Sequence, residues 1–160
     1  MAATRPLENL ATDLLAFTGL ATEQFTQQLV EGLQIQGPYW DGDFEAAWEV
    51  KLGDTPIPED RPKEPNPNGG DEAQPRPPTP TPVAIPYQPP IPIGYTVGNR
   101  MDYAAIATDL EPDTSSRYRK ERPGRTAQPD WFENLLNGGG YLEEAANFAF
   151  AQAARITGLK

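Results

Sequence analysis

The stretch VAIPYQPPIPIGYTV, residues 83–97, decides how the rest of the chain is read. Its four prolines read as a loop, yet its large apolar residues alternate as a strand's do. Val83, Ile85, Tyr87, Ile91, Ile93, Tyr95 and Val97 fill every odd position except Pro89. In an extended chain those seven side chains share one face. Pro86, Pro90 and Pro92 fall on even positions and strip N–H donors from one edge, while the odd residues keep theirs on the other. The pattern predicts a strap with one apolar face and a single pairing edge.

Burying seven such side chains gains no more than the ordering of the strap costs. It therefore needs a receiving surface, either this chain's own helices or a neighbouring protein. Strand addition or groove docking is the matching recognition mode. The plainer reading is an edge strand packed on the chain's own small core. The seven alternating residues are the expected partner-binding set.

Fourteen of the 19 prolines lie between Pro56 and Pro92. The run TPIPEDRPKEPNPNGGDEAQPRPPTPT, residues 55–81, has few large apolar residues to offset the entropy of ordering itself. Proline biases such a run to polyproline II, so roughly 25 residues reach on the order of 70 Å, with Gly69 and Gly70 a soft joint. A spacer of that reach is superfluous if the strap docks next door, which favours docking on a neighbour. The expected organisation has an acidic helical part at 1–55, a proline-rich linker at 56–82, the strap at 83–97 and a helical part at 98–160. The fold class expected is mainly α, two small helical ends joined by a long irregular proline-rich extended segment and a β-like strap. Each end is near the size where a lone core is marginal, so the ends should pack on each other or on other subunits.

In residues 5–34, Leu7, Leu10, Leu14, Phe17, Ala21 and Phe25 recur at steps of three and four, the stripe of an amphipathic helix. Thr4 suits an N-cap and Pro6 the first turn; Gly19 costs roughly 1 kcal/mol in a helix interior and predicts a bend or a junction. Further on, Phe44 and Trp48 stand four apart, as on a short helix. Met101, Ala105 and Ile106 hint at another, ended by Pro112, and Trp131, Leu135 and Leu136 form the apolar side of one that Pro129 and Asp130 begin. NGGG at 137–140 reads as a chain reversal or hinge. The last helix sets Leu142, Ala145, Ala146, Ala149, Ala153 and Ile156 on one side, flanked by Phe148 and Phe150, with Gly158 as its stop. Its alanine seam allows close approach of a second helix, in a core or at an interface.

Composition removes many chemistries. The chain has no cysteine, no histidine and only two serines, Ser115 and Ser116, so disulfide, thiolate, imidazole–metal and serine–histidine chemistry are all absent. Asp41, Asp43 and Glu45 resemble the start of a calcium loop, but the sixth position is Ala46 where glycine is needed and the twelfth is Leu52 where glutamate is needed. Capping of a short helix by Asp41 or Asp43 accounts better for them. Asp41, Asp43, Glu45, Glu143 and Glu144 could supply paired carboxyls, but nothing in the sequence shifts a pKa or builds a pocket around them. No phosphate-binding glycine loop is present. The reading is non-enzymatic, with no cofactor and no metal.

Net charge is −10, with eleven acidic residues against Arg5 and Lys51 in residues 1–60, a balance that repels nucleic acid and anionic membrane. The run RYRKERPGR, residues 117–125, is basic, but acidic DLEPD at 109–113 and the acidic amino-terminal end are nearer partners for it than DNA. Glu8 and Asp13 interrupt what would be a signal peptide's apolar stretch, and no apolar run is long enough for a membrane span. A soluble, non-exported protein is expected, placed in a virion if viral and in the cytoplasm otherwise.

The expected function is a structural or accessory subunit that laces neighbouring subunits of a large assembly, a bacteriophage particle (capsid, neck or tail) being the setting that suits such a chain. Its partners would be other protein subunits, copies of itself among them. Two other readings exist. PxxP at Pro62–Pro65 and Pro75–Pro78, with Lys63 and Arg76 beside or inside, fits an adaptor held by an SH3 or WW domain. The acidic end fits a small regulatory module that binds a basic protein.

Overall fold

The computed structural model describes residues 7–37, 43–60, 79–86, 94–101 and 131–158, with side chains from Asn9 onward. Along the chain come α1 (Leu7–Gln36), a short α2 (Asp43–Ala46), β1 (Trp48–Leu52), β2 (Tyr95–Asn99), α3 (Trp131–Glu133), which runs into a π-helical turn (Asn134–Gly138), and α4 (Tyr141–Thr157). The described residues are mostly helical, with one small two-stranded antiparallel sheet. The expected mainly α character holds. The linker at 61–78, the strap residues 87–93, the expected helix from Met101 to Pro112 beyond its first residue, and the basic run 117–125 lie outside the described residues.

The junction that Gly19 could mark is not formed. Helix α1 runs unbroken through it, and a Cβ there would meet nothing within 4 Å. Its expected stripe only partly reaches a core: Ala21 is buried, but Leu10 is 40% and Leu14 49% exposed. The deeper contacts come from the second half of α1, where Val30 and Leu33 join Phe44, Ala47, Trp48, Val50, Met101, Trp131 and Leu135 in one cluster. Aromatic edges organise it. The Phe44 ring meets Trp48 at 5.8 Å and Trp131 at 6.4 Å, both edge-on, the geometry that the ring quadrupoles favour. Residues from before the linker and from after the strap thus share one core.

The helix expected around Phe44 and Trp48 ends after one turn, and Trp48 begins a strand. WEVKL alternates apolar and polar side chains, and β1 buries Trp48 and Val50 on the face that also holds the cluster. Its register against β2 sets Val50 opposite Val97 and Trp48 opposite Asn99. Asn99 is buried and uses both ends of its amide: Nδ2 donates to the Phe44 carbonyl at 2.7 Å, and Oδ1 accepts from the Met101 N–H at 3.0 Å. Those two bonds tie α2 to the end of β2.

Beyond the reversal, where Gly140 takes a left-handed φ of 71°, α4 lies against α1. Tyr141 donates to the Gln28 carbonyl at 2.6 Å, and Phe150 stacks on Phe17 at 6.0 Å, so the two helices run antiparallel. Ala145, Ala149 and Ala153 are buried in the seam between them. The α4 stop is as expected, with Gly158 left-handed at φ 68°. Ile156, expected on the buried side, is 59% exposed, because it lies on the last turn, near the amino-terminal end of α1. Among the described residues no helix is long and apolar enough to cross a membrane.

Candidate functional site: the strap and the groove beside the first strand

Both described ends of the strap meet this chain's own core. Val83, Ile85, Tyr95 and Val97 are partly buried and pack against the central cluster. Tyr87, Ile91 and Ile93, the middle of the alternation, lie outside the described residues.

The entry to the strap is held by polar groups that would be costly to bury unpaired. Gln34 is 2% and Glu45 3% exposed. The Gln34 amide nitrogen donates to the Thr81 carbonyl at 2.8 Å and to the Glu45 carbonyl at 3.1 Å, and Glu45 Oε1 accepts from the Thr81 N–H at 3.1 Å. One residue, Thr81, is thereby gripped through both its backbone groups by α1 and α2. Glu45, set down by sequence among candidate calcium or catalytic carboxylates, instead serves this clasp. Glu143 and Glu144 sit exposed in the first turn of α4, and Asp43 opens α2.

The exit is held by the sheet. The Gly53 N–H donates to the Gly94 carbonyl at 3.1 Å, and the Arg100 N–H to the Ala47 carbonyl at 3.0 Å. In an antiparallel ladder such bonds recur at every second residue, so the even positions of 94–100 face β1. Sequence reading assigns pairing to the odd edge, and here the structure corrects it. The prolines that blunt the even edge stop at Pro92. From Gly94 onward the even residues keep their N–H groups, and the ladder begins there. For Tyr95 and Val97 the face is the expected one, since both lie on the same side of the sheet as Val50 and Trp48.

The two described pieces are fastened to each other as well. Tyr95 Oη donates to the Pro86 carbonyl at 2.9 Å. Burial, helped by the nearby Glu23 carboxylate, pushes the Tyr95 phenol above its ordinary value, so it remains a donor at neutral pH. Outside the sheet, Ile57 packs against Gly98, and Arg100 pairs with Asp60 at 2.7 Å, which leads the chain away from β1 towards the linker.

Between β1 and the strap entry lies a groove of about 370 Å³, walled by Ala46, Trp48, Glu49 and Val50 on one side and by residues 81–86 on the other. The ladder turns the backbone groups of Trp48 and Val50 away from β2. Trp48 Nε1 is buried and has no hydrogen-bond partner among the described residues, a state that costs about 1–3 kcal/mol. Sequence could not reveal this groove, because it depends on Thr81 being captured by two residues far upstream of it.

No protein-family model matches the chain, and neither the curated proteins nor the solved structures hold a match to it.

Proposed function

We propose that the protein is a non-enzymatic structural subunit that fastens to neighbouring protein subunits of a larger assembly through its strap, a phage particle being the first setting in which to look. The observation that carries this reading is the clamping of the strap at both ends: Thr81 by Gln34 and Glu45, and Gly94 to Arg100 by β1. A recognition segment anchored on a folded body loses less entropy on binding than a free one. Val83, Ile85, Tyr95 and Val97 serve chiefly to seat the frame, and Tyr87, Ile91 and Ile93 are the residues of the alternation assigned to a neighbour. The half-buried frame residues and the groove beside β1 support docking of an apolar, extended surface there. The residue types absent from the chain support a role without catalysis.

A photo-crosslinking residue in place of Ile91, in the full chain within its native source, tests this. Crosslinks to a second protein chain are expected. Crosslinks confined to the chain's own helices would assign the strap to internal packing and end the proposal.

A further inference from the structure

The outer face of α4 carries a pattern that no other described residue uses. Glu144, Phe148, Ala151 and Arg155 follow one another at steps of four, three and four, the spacing that keeps side chains on one stripe of a helix. All four are exposed, Phe148 by 44%. The buried seam of α4, Ala145, Ala149 and Ala153, is a different stripe and is already filled by α1. Nor does any described residue pair with Glu144 or Arg155 through its side chain.

We propose that this stripe is a homodimer interface, in which α4 packs antiparallel against α4 of a second copy about a two-fold axis. The order of the residues selects both occupant and direction. When two such stripes run antiparallel, steps of four and three bring the first residue of one opposite the last of the other, and the second opposite the third. Glu144 then meets Arg155 of the second copy at each end, and Phe148 fills the space above Ala151 in the middle, large against small. A parallel pair would set Glu144 on Glu144 and Arg155 on Arg155. The helix termini agree, since acidic side chains at the start and a basic one at the end also suit the α4 dipole. Every group on the stripe finds its complement in the same stripe inverted, as an isologous contact requires. The interface is independent of the strap and stands whether or not the strap binds a neighbour.

Sedimentation of the full chain, with circular dichroism to verify folding, tests this through charge reversal. The wild-type chain should be a dimer by about 100 µM. Glu144→Arg and Arg155→Glu should each raise the dissociation constant about tenfold or more, because each places like charges at both ends of the contact. An equimolar mixture of the two variants should form a heterodimer, in which every Arg again meets a Glu, and the double variant should dimerise like wild type. A wild-type chain that stays monomeric, a dimer indifferent to both reversals, or variants that fail to recover on mixing would each overturn the proposal.

Discussion

Gly32 lies so close to Tyr141 that a Cβ there would come within 2.5 Å of the ring. The missing side chain lets the phenol reach over α1 to the Gln28 carbonyl. Two effects compete in Gly32→Ala. Alanine favours the helix by about 1 kcal/mol, whereas displacing the ring costs about 1–3 kcal/mol of overpacking and also endangers a hydrogen bond worth about 0.5–1.5 kcal/mol. We expect a net loss of about 0.5–3.5 kcal/mol in urea unfolding. Burial, with the Glu31 carboxylate nearby, pushes the Tyr141 phenol above its usual value near 10. The folded state therefore holds this proton more tightly than the unfolded one. Its contribution to stability is complete below about pH 10 and is lost as pH rises beyond that. Stability of the wild-type chain should fall more steeply in alkali than that of Tyr141→Phe, as pH-dependent urea midpoints will show.

At the scale of elements, Gly19 is the counterpart of Gly32. It sits in an unbroken helix with open space around its Cα, so only propensity acts, and Gly19→Ala should stabilise the chain by about 0.5–1 kcal/mol in the same assay. An unfavourable change there would mean that α1 breaks at this point after all. Much of this level was legible beforehand: a long helix over most of residues 5–34, the extent of α4, its stop at Gly158 and the alanine seam follow from spacing and glycine placement, whereas the reversal read at 137–140 begins only after a π-helical turn that runs to Gly138. The strand β1 was not, because the four-residue step from Phe44 to Trp48 satisfies a helix as well as the turn that leads into a strand. Nor was the pairing edge of β2 legible. Prolines mark where donors are missing, but not where the ladder begins, and its first bond, to the Gly94 carbonyl, comes two residues beyond Pro92.

Across the whole molecule, one core draws Val30 and Leu33 from before the linker, Met101 from just beyond β2, and Trp131 and Leu135 from just before α4. The sequence predicts packing between the two ends but not this site of it, since the visible stripe on α1 lies mostly in its first half and the dense core in its second. The candidate site shows the same limit. The alternation of Val83, Ile85, Tyr95 and Val97 announces an apolar face, whereas the clasp of Gln34, Glu45 and Thr81 arises only from the fold. The body thus holds a strap by its two ends, and the account turns on what its middle residues meet. Amide hydrogen exchange over residues 81–101, measured for the isolated chain and for the chain in the particle or complex it is proposed to join, addresses this directly. The Thr96 and Gly98 amides should be protected in both states, and Tyr87, Gln88, Ile91 and Ile93 should gain at least about tenfold protection only in the bound state. Equal exchange of those four amides in the two states would contradict this.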